Sequence, residues 1–484
     1  VRWSVEKICR TLSVPVPVGG DSSLPIAGCS IDSRTLRRGE LYVALRGPHF
    51  DGHDFVLPAL EAGAPAAIVD KHRLPSYPEN FRSRLMGVQD TLVALQELAR
   101  AVRREWGRPV LAITGSTGKT TTKEILAAMM ATRFQVLRSE GNLNNEYGLP
   151  LSLLQLEPHH EAAVLELAMS HRGELRWLAE ICEPNLGIVT NVAPVHLEFF
   201  SSVEEIALAK RELVEGLAGD DSIAVLNADD GRVKSFSRFC RGKVIFYGLD
   251  KRADFRANGI MHRGAAGMTF EVVNRAGRWP FRMPLLGEHN VRNALAAFAA
   301  ASHYGVTPEA AADCLAASRP VKMRGELLHF APGFSVVNDC YNSNPVALES
   351  MIELVAHFSE YRRRALVAGE MKELGPTSGV LHRRCGERAA RAGLEWVFGI
   401  AGDAAALVEG AIAAGLSPDR THFFETAEEA ARFFPEWIQP GDLLLVKGSR
   451  AVRVEQVIDA LKTRYPLRVP NPRPEDSGAA REAS

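Results

Sequence analysis

The stretch RPVLAITGSTGKTTTKEILAAMM (108–130) constrains the chain more than any other. RPVLAI reads as a short buried strand, and KEILAAMM carries apolar residues at helical spacing. Between them lies a turn of Gly115, Ser116, Thr117 and Gly118, followed by Lys119, Thr120 and Thr121. A strand entering a glycine-rich turn and then a helix surrounds an anion with backbone N–H groups and the positive end of the helix dipole. Lys119 would neutralise outer phosphate oxygens, and Thr120 stands where a hydroxyl meets a phosphate-bound magnesium ion. The general pattern G-x-x-x-x-G-K-[ST] needs glycine at 113, where the chain has Ile113, so the loop is a shorter form.

The rest of the chain organises around this loop. Residues 1–88 mix short apolar runs (CSIDSR, ELYVALRG, AAIVD) with turn signals and predict a small α/β domain. TLVALQELARAVRREW predicts the helix that leads to the loop's strand. AAVLEL, LGIVTNV, SIAVLN and KVIFYG then alternate with helical patterns, predicting a mostly parallel sheet in a central domain over 89–318. Short strands are expected at about 252–286 and a helix from about Asn290 to a Gly305 cap. After Ser318-Arg319-Pro320, the runs FSVVND, RALVAG, LEWVFGIAG and GDLLLVKGS predict a third, Rossmann-like α/β domain over 319–468. The tail at 469–484, rich in proline and small residues, is expected to be disordered. No internal repeat is present.

Several residues fall at strand ends, where open α/β sheets bind ligands. Glu166 closes the run AAVLELAMS and suits magnesium, with an ordinary surface glutamate as the alternative. Asn191 and His196 follow LGIVT, and a loop histidine is equally compatible with plain solvation. Ser202-x-x-Glu205 predicts a capping box that opens a helix bearing Lys210, which by itself reads as a snorkelling surface lysine. Asn290 and Asn293 share one helix face and are able to present amides to a base or sugar, with capping by Asn290 as the alternative. Arg324 is a candidate phosphoryl clamp or a linker ion pair. Asp339, Tyr341, Asn342 and Asn344 cluster after a strand, either as a site or as turn chemistry.

Composition narrows the function. Lysine plus arginine (57) balances aspartate plus glutamate (58), which gives no global electrostatic case for nucleic acid or anionic membrane. Seven scattered cysteines without C-x-x-C spacing fit reduced thiols, and no apolar run approaches the ~20 residues that span a bilayer. Glu6 interrupts the first apolar pattern, unlike a secretory leader, so a soluble, cytoplasmic protein is expected.

Taken in order, TGSTGKT, Glu166, Thr190-Asn191, His196, Lys210, HNVRN and Arg324 resemble the Mur ligases, ATP-dependent carboxylate–amine ligases of peptidoglycan precursor synthesis. The resemblance runs from about Asp32 to about Leu461 and accounts for the short phosphate loop. Within the family, DSR (32–34), DGHDF (51–55), GNLNNEYGLP (141–150), NDCYNSNP and GEMKELGPTSGVLH (369–382) are most similar to the branch that joins D-alanyl-D-alanine to UDP-N-acetylmuramoyl-tripeptide. The D-N-P-R motif of diaminopimelate-adding relatives is absent. A diaminopimelate- or lysine-adding ligase and a catalytically inactive nucleotide-binding scaffold are the alternatives. Ala168 and VAPVHLEFF depart from the glycines usual at those places.

The resemblance implies three domains, with ATP and Mg²⁺ as cofactors; the sequence leaves the oligomeric state open, and a monomer is expected. It places Mg²⁺ on Thr120, Glu166, His196 and a carbamylated Lys210, with Lys119 and Arg324 also catalytic. It sets Asn290 and Asn293 at the adenine, and Arg324 and Asp339 at phosphate and ribose. Ser33 and Arg34 would take the uridine diphosphate, Asn144 and Asn145 the muramoyl peptide. Tyr341, Asn342, Asn344 and the segment Glu370 to His382 would line the dipeptide pocket.

Overall fold

The computed structural model of the chain describes residues 3–195 and 197–468. His196 and the tail expected at 469–484 lie outside the described residues. By density of contact the chain divides into two units, Val1–Arg319 and Pro320–Ser484.

The first unit begins with β1 (Trp3–Ser4) paired antiparallel to β2 (Pro25–Ile26), with α1 (Val5–Thr11) between them. A four-stranded parallel sheet follows, ordered β3 (Gly28–Ser30), β4 (Glu40–Val43), β5 (Ala67–Asp70) and β6 (Leu85–Val88). Helices α2 (Val56–Glu61) and α3 (Glu79–Arg82) lie in its crossovers. In DGHDF, the buried His53 donates Nδ1–H to Asp51 at 2.6 Å and accepts the Asp70 N–H at 3.0 Å, so this histidine ties its turn to the end of β5.

Helix α4 (Thr91–Trp106) is opened by Asp90, whose carboxylate accepts the N–H groups of Leu92 and Val93, and closed by Gly107 at φ +68. It leads to β7 (Val110–Thr114), α5 (Lys119–Ala131), β8 (Val136–Arg138), α6 (Gly148–Leu153) and β9 (Ala162–Glu166). Then come α7 (Glu174–Cys182), β10 (Leu186–Val189), α8 (Val203–Glu215), β11 (Ile223–Asn227), α9 (Gly231–Ser235) and β12 (Lys243–Gly248). The strands β13 (Phe255–His262), β14 (Met268–Asn274) and β15 (Gly277–Met283) precede α10 (Glu288–His303) and α11 (Pro308–Ala317). The nine-stranded sheet is ordered β15-β14-β13-β12-β11-β10-β7-β9-β8, parallel except for the β13–β15 meander. β7 is flanked by β9 on one side and β10 on the other, so the order reverses there and a crevice opens at the strands' carboxyl ends.

One apolar core runs from Trp3, Ile68 and Met86 through Leu95 and Leu98 to Leu165 and Leu226, which explains why both sheets fall in one unit. The other face of the large sheet packs on the alanine-rich side of α10. That helix starts at Glu288 with Gly287 as its cap, two residues earlier than expected, so Asn290 lies inside the helix and does not cap it.

The second unit holds a six-stranded sheet ordered β16 (Glu326–His329), β17 (Ser335–Asp339), β21 (Asp442–Lys447), β18 (Arg363–Gly369), β19 (Trp396–Ile400) and β20 (Thr421–Phe424). All its pairings are parallel except β16 with β17. Helices α12 (Pro345–Ala356), α13 (Ser378–Arg391), α14 (Ala404–Ala413), α15 (Ala427–Trp437) and α16 (Glu455–Arg464) complete it.

Candidate active site

The phosphate loop leaves β7 and is held from behind by the chain that leaves β10. Asn191 Oδ1 accepts the Thr117 N–H at 3.0 Å, the Thr190 hydroxyl donates to the Thr117 carbonyl at 2.6 Å, and the Ser116 N–H donates to the Asn191 carbonyl at 3.0 Å. Such contact leaves no room for side chains at the two glycines. A Cβ on Gly115 (φ +149) would lie 1.8 Å from Thr190 Oγ1, and one on Gly118 (φ +80) would lie 2.3 Å from Asn293 Oδ1. The Lys119 ammonium donates to the Gly115 carbonyl at 2.9 Å, and α5 begins at Lys119.

Thr120 and Glu166 meet across the switch point: the buried hydroxyl donates to Glu166 Oε2 at 2.7 Å. The Asn144 amide donates to the other carboxylate oxygen at 2.9 Å, which places Asn144 at the Glu166 carboxylate. The Ala168 N–H donates to the Asn144 carbonyl at 2.9 Å. Ala168 has no left-handed φ, so an alanine side chain fits there without strain. Asn145 caps the turn into α6 by accepting the Gly148 N–H at 3.0 Å.

Lys210 is not the snorkelling surface residue that its own helix suggested. It is 2% exposed in the middle of α8, and burial holds its ammonium well below the ordinary lysine range, with Lys119 adding repulsion. Among the described residues no carboxylate forms an ion pair with it. Ser202 does open α8, accepting the Glu205 N–H at 3.2 Å, while Glu205 reaches back to the Ser201 N–H at 2.9 Å.

Asn293 donates to Asn290 Oδ1 at 3.0 Å and Asn290 to the Leu286 carbonyl at 2.8 Å, so α10 lays a buried amide pair beside Gly118. In the amino-terminal sheet region, the exposed Arg34 is bidentate to Asp32 at 2.9 and 2.7 Å, which holds Asp32 low, at about 2. Ser33 lies in the same turn.

In the second unit, the Arg324 guanidinium stacks on the Tyr341 ring, 3.9 Å from its centre. Asp339 accepts from Lys447 at 2.6 Å, and the same ammonium reaches the Asn342 carbonyl at 2.8 Å. Asn344 caps α12 through the Ala347 N–H at 2.9 Å. His382 is fully buried: Nε2 accepts the Met371 N–H at 2.8 Å while Nδ1–H donates to the Ser378 carbonyl at 2.8 Å. Burial lowers its pKa, and the neutral ring pins the loop at 370–378.

A hydroxyl and a carboxylate, both buried at the mouth of a phosphate loop, are hard oxygen donors that fit Mg²⁺ bound with a nucleotide. An ammonium does not fit such an ion. Sequence reasoning missed Ser139, whose hydroxyl accepts the Glu166 N–H at 3.1 Å, and Lys123, buried below it, because neither falls in a recognisable motif.

Three family patterns match the chain: "Mur ligase family, catalytic domain" over 25–103, "Mur ligase middle domain" over 113–301, and "Mur ligase, glutamate ligase domain" over 323–450. The chain belongs to the Mur ligase family. It is 35% identical over 90% of its length to the UDP-N-acetylmuramoyl-tripeptide–D-alanyl-D-alanine ligase of Bacillus subtilis, and covers 93% of that protein. Among solved structures, MurF from Acinetobacter baumannii superposes with a TM-score of 0.86 at 28% identity, covering 96% of this chain and 99% of that one. MurF ligase from Thermotoga maritima in complex with ADP gives 0.79 at 29% identity, covering 90% and 97%.

Proposed function

We propose that the chain is the ATP-dependent ligase that joins D-alanyl-D-alanine to UDP-N-acetylmuramoyl-tripeptide in peptidoglycan precursor synthesis, acting in the cytoplasm. The observation that carries this reading is the likeness across nearly the whole chain to ligases bearing that reaction in their names, joined to a phosphate loop with Thr120 and Glu166 in contact.

A carboxylate at neutral pH is a poor electrophile, so one of its oxygens must become a leaving group. The γ-phosphoryl group of ATP passes to the terminal carboxylate of the tripeptide, giving an acyl phosphate and ADP. The dipeptide's amine attacks that carbonyl, the amine loses a proton, and phosphate leaves as the amide forms. Lys119 and the backbone N–H groups at the start of α5 hold the transferring phosphoryl and offset the repulsion between two anions. A magnesium ion on Thr120 and Glu166 would neutralise further phosphate charge. His196 is assigned to the same ion set.

Lys210 supports the carbamate assignment by its burial. A neutral amine attacks CO₂ at carbon, forms the N–C bond and releases one proton, which leaves a carboxylate-like ligand in place of a buried cation. Asn290 and Asn293 are assigned to the adenine side, Arg324 and Asp339 to phosphate and ribose, and Ser33 and Arg34 to the uridine diphosphate. Asn144 and Asn145 go to the muramoyl peptide, and Tyr341, Asn342 and Asn344 to the dipeptide.

Phosphate release that requires ATP, the UDP-linked tripeptide and D-alanyl-D-alanine together tests the reading. Turnover with diaminopimelate in place of the dipeptide overturns it.

A further inference from the structure

Lys123 has no part in the chemistry above, yet it is completely buried one turn beyond Lys119 on α5. Its ammonium donates to the Ser139 carbonyl at 2.6 Å and pairs with Glu124 at 2.9 Å, which in turn holds Arg138 at 2.7 Å. Taking an ammonium out of water costs several kcal/mol, and an apolar side chain would fill the same space without that cost. The contacts therefore identify what the charge accomplishes.

Ser139 follows β8, a three-residue edge strand paired on one side with β9. Its N–H donates to the Val164 carbonyl at 3.1 Å and its hydroxyl accepts the Glu166 N–H at 3.1 Å. The strap that starts there returns through Asn144 to the Glu166 carboxylate. Glu166 is thus held by Thr120 from α5 and by Ser139 and Asn144 from the strap, and Lys123 ties the strap to α5.

We propose that Lys123 is a positioning residue for Glu166: it locks the Ser139–Asn144 strap to the phosphate-loop helix, so that the carboxylate meets a divalent cation bound with the nucleotide in one orientation. The proposal rests on the reading of Thr120 and Glu166 as the cation's ligands and is independent of which peptide the enzyme extends.

ADP binding, measured by calorimetry with Mg²⁺ and again in EDTA, tests it without turnover. Lys123→Met is expected to weaken Mg·ADP about tenfold, the scale on which groups that orient a metal ligand act, and to leave ADP in EDTA within about twofold. Equal weakening under both conditions, or none, overturns the proposal. In an Asn144→Ala background Lys123→Met is expected to add less than about twofold, whereas fully multiplying effects would overturn action through the strap. Glu166→Gln separates the two readings. If it abolishes the gain from Mg²⁺ while Lys123→Met keeps that gain, this proposal alone falls; if Glu166→Gln keeps the gain, the metal assignment falls and takes the proposal with it. Should Lys123→Met not fold, Lys123→Leu, which likewise has no donor for the Ser139 carbonyl, carries the same measurements.

Discussion

Two buried lysines end in opposite circumstances. In the second unit, Lys447 at the end of β21 donates to Asp339 at 2.6 Å and to the Asn342 carbonyl at 2.8 Å. In the first unit, Lys210 on α8 is equally buried, and the charge that acts on it is that of another lysine, Lys119. A cation buried with its counter-ion joins chain segments, here the ends of β17 and β21. A cation buried beside a like charge is driven toward the neutral amine, which is a nucleophile. Equal burial therefore predicts opposite responses to mutation.

The largest expected effect is on turnover. Lys210→Ala should lower it on the order of 10³-fold or more in bicarbonate-containing buffer, as loss of a group that stabilises transferring charge does, with nucleotide binding retained. Unaltered turnover would remove the carbamate from the mechanism. Lys210→Met should leave the thermal midpoint unchanged or raise it, since it replaces a buried amine that has no counter-ion among the described residues with an apolar chain of similar length.

Asp339→Ala should do the reverse, costing about 3 kcal/mol by stranding the Lys447 ammonium, with denaturant unfolding as the measurement. A change below about 0.5 kcal/mol would show that Lys447 resembles Lys210 after all. A smaller effect concerns His382. Its native pKa is lowered, so below 6.5 the unfolded chain binds the proton first and the native state binds it later. Stability from this ring is complete above 6.5 and drains as pH falls toward the native value, by at most about 1.4 kcal/mol per pH unit. His382→Gln should flatten that slope; identical slopes in both proteins would refute the buried neutral ring. Smallest is Asn344→Ala, expected to cost about 1 kcal/mol as a lost helix cap. A tenfold rise in KM for the dipeptide without loss of stability would instead make Asn344 a binding residue.

The strand–loop–helix unit at 108–130 was legible because its periodicities and its glycine-lysine turn are local. Helix α8 and its Ser202 cap were legible for the same reason. The short edge strands β16 and β20 were not, since four residues carry too little pattern. Asn290 could have been either a cap or a ligand amide in sequence, but Gly287 took the cap position and left Asn290 Oδ1 to accept from Asn293. Asn144 was separable from Glu166 in sequence, yet the strap folds back and puts its amide on that carboxylate.

By itself the sequence determined the phosphate loop, the alternation of the longer strands and helices, and the family, because these depend on neighbours a few residues apart and on motifs kept in order. Only the tertiary structure decided that Lys210 is buried under the influence of the Lys119 charge, that Lys447 is neutralised by Asp339, and that Lys123 grips Ser139. Whether a lysine is a surface charge, a clasp or a reagent depends on the dielectric and the charges that distant segments bring to it, and those are set only when the sheet closes around it.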